Sequence, residues 1–185
     1  MPAFYLTLIA VLLAGFGGRD QATIAGLTTR QGQRPGVLLV GLLCAGLTAA
    51  FAAWLAGIML AQLPPPARAI FAGIALGLAG LESILFVPKR RPAEPTNSLG
   101  ALLLVLLAGQ VTDAARFVVF ALGVGMAAPL AVGAAGAVGG AILGAAAWAG
   151  PQILDGAAAR RVRRTMGIVL LLASLILFLR EFSIL

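Results

Sequence analysis

Apolar runs separated by short polar or proline-bearing segments divide the chain into six stretches. Each is long enough for a helix across a bilayer, which takes about 20 residues. The first runs from Ala3 to Thr29, interrupted by Gly15, Gly17 and Gly18, and Arg30-Gln31-Gly32-Gln33-Arg34 then makes a polar turn. Pro35 opens the second stretch at a first-turn position, where the missing N–H costs nothing. It runs to Gln62, ahead of Pro64-Pro65-Pro66, which cannot continue a helix. The third runs from Ala67 to Val87, and the fourth to sixth are Leu99 to Gly125, Pro129 to Leu154 and Arg164 to Ile184. The expected fold class is an all-α membrane protein with six transmembrane helices.

A second pattern sets their arrangement, because the chain repeats itself 94 positions later without a gap. Val11-Leu12-Leu13-Ala14-Gly15 recurs as Val105-Leu106-Leu107-Ala108-Gly109, Pro35 falls on Pro129, and Ala52-Ala53-Trp54 falls on Ala146-Ala147-Trp148. The two tryptophans are the only ones in the chain, so their coincidence weighs more than the Leu and Ala matches. An internal repeat outranks other sequence signals in fixing architecture. Residues 1–87 form the first repeat of three spans, 88–98 a cytoplasmic linker and 99–185 the second repeat. Three spans per half is an odd number, so the second half enters the bilayer from the opposite face and the repeat is inverted. The symmetric tryptophans suggest matched packing against the opposite half.

Composition supports a membrane setting. The chain is 61% hydrophobic and 10% charged, with a mean hydropathy of +1.06. No soluble fold of this length hides so much apolar side chain, so the lipid bilayer is the expected partner for most of the surface. The isoelectric point near 11.5 then reports basic loops rather than a nucleic-acid partner. Arg30, Arg34, Lys89, Arg90, Arg91, Arg160, Arg161, Arg163 and Arg164 fall in loops on one side, against Arg68 and Arg180 on the other. That bias predicts a multi-pass inner-membrane protein with both termini outside the cytoplasm. The first stretch lacks a basic leader region and is matched inside the chain, so it reads as a retained helix and not as a signal peptide. Cys44 stands alone and histidine is absent, which removes a thiolate cluster and the usual proton shuttle. With no nucleophile elbow, zinc-protease, P-loop or dinucleotide signature, neither an enzyme nor a resident cofactor is expected.

Chemistry concentrates in the middle of two spans. Arg19, Asp20 and Gln21 follow Gly17-Gly18 in the first; Gln110, Thr112, Asp113 and Arg116 occupy the corresponding place in the fourth. A charge at the bilayer centre costs about 3 kcal/mol on insertion scales, so such groups are usually paired and functional. Arg19 facing Asp113, and Asp20 facing Arg116, are the expected ion pairs of a site for a small ion or small polar solute. Asp113 and Arg116, three apart, can also pair within their helix. Gln21, Gln110 and Thr112 would supply neutral ligands. Gly15, Gly17, Gly18 and Gly109 would allow local unwinding or close helix approach. Glu82 reads as an interfacial partner of Lys89 or Arg90, and Asp155 with Arg160 to Arg164 as solvated topology anchors. The four-residue glycine spacings Gly136-Gly140-Gly144 and Gly73-Gly77 read as packing ridges.

The duplicated first-helix pattern, the Thr28-Thr29-Arg30-Gln31-Gly32 turn, the proline-opened second helix and the basic central loop resemble one family. It is that of the Golgi transmembrane protein 165 and the bacterial manganese exporters. The resemblance covers the whole chain in length, topology and repeat phase. It implies a six-span cation/proton antiporter for Mn²⁺ or Ca²⁺, each half carrying Glu-x-Gly-Asp-Lys/Arg-Thr/Ser, usually followed by Gln. The first copy here reads Gly15-Phe16-Gly17-Gly18-Arg19-Asp20-Gln21. It keeps the glycine as Gly17, the base as Arg19 and the trailing Gln21. Gly15 and Gly18 replace both acids, and Asp20 takes the hydroxyl position. In the second, Gly109-Gln110-Val111-Thr112-Asp113-Ala114, Gly109 and Thr112 replace the acids, Asp113 stands where the base belongs, and Arg116 is added.

That substitution changes the electrostatics. Hard divalent cations need carboxylate oxygens and their countercharge, whereas Arg19, Asp20, Asp113 and Arg116 sum to zero. Two other readings therefore stand beside divalent-cation antiport. One is export of an amino acid or other zwitterion; Thr29 to Gly36 also resembles the first turn of the lysine-exporter type of efflux protein. The other is a non-transporting member with the Arg/Asp cluster as a structural clasp.

Overall fold

The computed structural model describes residues 1–86, 98–154 and 157–184, and within them the chain is helical throughout. The elements are α1 (Pro2–Gly15), α2 (Arg19–Gln31), α3 (Pro35–Gln62), α4 (Pro65–Leu85), α5 (Leu99–Val111), α6 (Ala114–Gly125), α7 (Pro129–Ala149), a 3₁₀ turn (Pro151–Leu154) and α8 (Ala157–Glu181). Four helices are long and apolar enough to cross a membrane, or six if α1 with α2 and α5 with α6 each count as one span. Most of the linker expected at 88–98 lies outside the described residues, as do Asp155, Lys89, Arg90 and Arg91.

Prolines set the starts. Pro2, Pro35, Pro65 and Pro129 each occupy the first turn of a helix, where their fixed φ is already helical. α3 stops ahead of Pro64 and α7 at Gly150, ahead of Pro151. The fifth span is thus shorter than the sequence suggested, because Pro151 turns its end into a 3₁₀ segment. α8 begins earlier than expected, and the arginines from Arg160 onward belong to it.

The larger difference is that the first and fourth stretches are bent, α1 against α2 by 59° and α5 against α6 by 52°. In the first, Phe16 and Gly18 are extended and Gly17 has φ +72°, a left-handed conformation that glycine adopts without a Cβ penalty. In the second, the break falls at Thr112 and Asp113 and not at Gly109, which lies inside α5 with nothing within 4 Å of where a Cβ would sit. Asp113 is the extended residue that precedes α6, a place short polar side chains favour.

α4 packs on α8 and α6, α3 on α7, α6 and α5, and α1 on α7 and α6, while α2 lies against α7 and the 3₁₀ turn. The glycine ridges lie at these crossings. A Cβ on Gly136 would sit 2.5 Å from Val119 Cγ2, one on Gly140 2.9 Å from Arg116 Nη2, and one on Gly77 3.1 Å from Ser174 Oγ. The outward faces carry Leu39, Leu43, Leu47, Leu104, Leu172 and Leu175, all exposed. The tryptophans are not matched. Trp54 is 61% exposed, whereas half-buried Trp148 donates its indole N–H to the Arg34 carbonyl at 3.1 Å.

Candidate functional site

The two breaks face one another. Each starts a helix whose first N–H groups carry the positive end of the helix dipole. An acid stands on each: Asp20 in the first turn of α2, Asp113 just before α6. A Cβ built on Gly18 would lie 3.0 Å from Asp20 Oδ1 and 3.5 Å from Asp113 Oδ1, so both carboxylates close on the same small space. Only a residue without a side chain leaves that space open.

Gln21 holds the first break together. Its Oε1 accepts from the Gly17 N–H at 2.6 Å, a donor freed by the unwinding, and its Nε2 donates to the Leu143 carbonyl at 2.8 Å. Those bonds tie its side chain to the backbone of the break and of α7. Gln110 is a bridge. Its Nε2 donates to Asp20 Oδ2 at 3.1 Å, and Arg116 Nη2 stands 3.5 Å from its Oε1. Arg116 Nε donates to the Thr48 hydroxyl at 2.6 Å, and Thr48 stands 3.0 Å from Gln110 Oε1 and 2.8 Å from the Cys44 carbonyl, either of which can take its proton. Asp20 and Arg116 are therefore joined through Gln110 and not by a direct ion pair. The room Arg116 occupies exists because Gly140 on α7 has no side chain.

Arg19 does not pair with Asp113. Its Nη2 donates to the Thr112 carbonyl at 2.6 Å and lies 3.0 Å from the Thr112 hydroxyl, so it crosses from one break to the other. Its Nε lies 3.3 Å from Glu82 Oε1 and its guanidinium stands over Phe86, 5.5 Å from the ring centroid. Glu82 is buried and its other oxygen meets Arg163 Nη2 at 2.5 Å. The interfacial role expected of Glu82 thus gives way to a buried ion pair, and Arg163, expected as a solvated anchor, is only 4% exposed. Asp113 and Arg116 are linked only by backbone, Arg116 N–H to Asp113 carbonyl at 3.0 Å. Among the described residues Asp113 Oδ1 has no hydrogen-bond partner, nor have Arg163 Nε and Nη1.

Sequence reasoning missed Thr48 and the roles of Glu82 and Arg163. A signal for Arg163 was present: Arg163, Gly167, Leu170 and Ser174 form one buried stripe at helical spacing, so the packed face of α8 runs on through the arginine cluster. Glu82 likewise continues the α4 face of Ala72, Ala75, Leu76 and Ala79.

The cluster holds three carboxylates and three guanidiniums, five of them buried and Arg19 30% exposed. No three His, Cys, Asp or Glu side chains come together as a metal-binding group among the described residues. A cavity of about 240 Å³, lined by Phe71, Phe117 and Phe120, reaches the cluster at Thr48 and Arg116. Comparison with protein-family models, with curated proteins and with solved structures gave no match.

Proposed function

We propose that the chain is a multi-pass carrier of the inner membrane, built as six spans in two inverted three-helix repeats with both termini outside. Several observations support the repeat. Both first spans break near their middle, both second helices open on a proline 94 residues apart, and the third helices pack on each other. The observation that carries the transport reading is the convergence of Asp20 and Asp113, on two half-helix starts, over Gly18. Half-helix ends inside a membrane bundle are a recurrent way to hold a small solute, since irregular backbone is tolerated there only when it lines a protected cavity. Rocking one three-helix unit against the other would expose that point to each side in turn.

The cation/proton antiport implied by the family resemblance would seat Mn²⁺ or Ca²⁺ as cargo between Asp20 and Asp113. The arginines oppose a bare dication, because its two charges would meet a cluster already balanced. A non-transporting clasp is the other reading, favoured by the interlocked Arg19–Glu82–Arg163 group.

Purified chain in proteoliposomes, assayed for Mn²⁺ flux with and without a pH gradient and for amino-acid counterflow, tests transport. Replacing Arg19, Asp20, Asp113 and Arg116 together by apolar residues separates carrier from clasp. A correctly folded variant, with no metal or amino-acid flux from either it or the parent, would end the carrier reading. Cysteines introduced at Gly32 and Ala127 should label from opposite sides, and same-side labelling removes the inverted topology.

A further inference from the structure

We infer that the cavity between α3, α4 and α6 binds an uncharged, ring-bearing molecule dissolved in the bilayer, with an acceptor oxygen toward Thr48 and Arg116. This rests on α3 and α4 crossing the membrane, not on transport.

The cavity, of about 240 Å³, leads from the outer surface to the charged cluster. Phe51, Phe71, Ile74 and Leu78 line it and are exposed, so they form its mouth. Thr48, Ala52, Ala75 and Arg116 line it and are buried, so they form its floor. Thr48 stands at the middle of α3 and Ala75 at the middle of α4, and both helices are long and apolar enough to span a bilayer. With a hydrocarbon core about 30 Å thick, the mouth opens roughly 15 Å from either headgroup layer. Phospholipid headgroups do not reach that depth, and a charge there is expensive. An occupant therefore arrives uncharged, through the acyl chains.

The walls favour a ring. Phe51, Phe71, Phe117 and Phe120, four of the chain's nine phenylalanines, line the cavity, and aromatic edges and faces pack specifically on another ring. A cavity of about 150 Å³ takes one benzene, so this one has room for more. The floor is polar. Arg116 Nε donates to the Thr48 hydroxyl at 2.6 Å and Nη2 stands 3.5 Å from Gln110 Oε1, while Nη1 makes no hydrogen bond among the described residues. Unmet donors on a buried guanidinium are costly, which favours an acceptor at this end. That acceptor belongs to a neutral group, because Asp20 already reaches Arg116 through Gln110. A further carboxylate would bury a negative charge without compensation, and a cation would face the guanidinium. A bare acyl chain would fill the walls and leave the donors unmet.

The test uses the full chain in lipid nanodiscs with tritiated benzophenone. This two-ring ketone adds a neighbouring C–H across its carbonyl under near-ultraviolet light, and the adducts are mapped by mass spectrometry. Competitors are diphenylmethanol, diphenylmethane and diphenylacetate, compared at equal concentration in the lipid. The expected result is saturable labelling confined to residues that line the cavity. Diphenylmethanol should compete at least tenfold better than diphenylmethane, which has the same rings without oxygen, or diphenylacetate, which is charged. Ala75→Phe, which fills the floor, should lower labelling tenfold or more, and Arg116→Met should erase the preference for diphenylmethanol. Leu172→Phe, exposed on α8, should change neither. Should Ala75→Phe or Arg116→Met fail to fold, the competition series on the unaltered chain decides. Labelling that does not saturate, or that spreads over the outward faces of other helices, overturns the site. Diphenylmethane competing as well as diphenylmethanol overturns recognition of the acceptor, as does a preference retained in Arg116→Met. Diphenylacetate competing as well overturns the requirement for a neutral ligand.

Discussion

Glu82 separates two guanidiniums, and removing it tests how much of the cluster's order depends on one buried anion. In Glu82→Leu, Arg163 loses a partner 2.5 Å away at a position only 4% exposed. Arg19 loses a contact at 3.3 Å but, being 30% exposed, can turn toward solvent and keeps its bonds to Thr112. The penalty therefore falls on Arg163. Breaking one side of a buried pair costs about 3–5 kcal/mol, because the remaining charge stays desolvated. Replacing both members by apolar residues of similar volume is close to neutral, so Glu82→Leu with Arg163→Met should fall within about 1 kcal/mol of the parent. The two substitutions should thus be strongly non-additive, by about 3 kcal/mol. Reversible unfolding in mixed micelles on titration with dodecyl sulfate, followed by helical circular dichroism, measures all three variants. A cost below about 1 kcal/mol for Glu82→Leu, or single costs that simply add in the double variant, would refute the buried-pair reasoning.

Four further outcomes follow from the packing, the backbone geometry and the burial of side chains. Gly140→Ala places a Cβ 2.9 Å from Arg116 Nη2 and 3.1 Å from Ala45 Cβ, and should cost about 1–3 kcal/mol in the same titration. Gly46→Ala, on α3 with nothing within 4 Å, should stabilise by up to about 1 kcal/mol through helix propensity. Gly17→Ala forces a side chain into a left-handed conformation at φ +72° and should cost about 1–2 kcal/mol, with the loss concentrated at the first break. In bilayers containing brominated acyl chains, fluorescence from Trp54 should be quenched more than that from Trp148, measured on the single Trp→Phe variants; equal quenching would contradict their unequal burial.

Most of the helical frame was legible because prolines and glycines punctuate it. Pro35 and Pro129 start helices where the sequence placed them, and Gly17-Gly18 marks the first bend. The second bend was harder to see. Gln110, Val111 and Thr112 are all compatible with a continuing helix, and the visible cue was Asp113, a residue type that favours helix starts. The polar residues singled out in the first and fourth stretches lie together: Asp20, Gln110, Thr112, Asp113 and Arg116 gather with Arg19 around the breaks. Their pairing was not legible. Facing charges across a pseudo-axis looks sufficient in one dimension, yet Glu82 and Arg163 reach the same cluster from α4 and α8 and redirect Arg19. Arg163 was hidden by its neighbours, since a run of arginines reads as solvated unless the buried stripe of its helix is followed through it.

The residues that redirect Arg19 are not matched by the 94-residue sequence repeat. At the 94-residue offset, Arg19 corresponds to Asp113, Glu82 to Ile176 and Arg163 to Ala69. A strictly symmetric pair of breaks would present the same charge twice, and two like charges at one buried point repel. Here the matched positions carry opposite signs, and they would neutralise each other if they met. Glu82 holds Arg19 on the α4 side, and among the described residues Asp113 Oδ1 has no hydrogen-bond partner. Neither member of the Glu82–Arg163 ion pair has a charged counterpart at the 94-residue offset. Two opposite charges left unbonded contribute less to folding than the same two joined, so the contact of Arg19 with Glu82 and its bonds to Thr112 have to outweigh the Arg19–Asp113 pair that they replace.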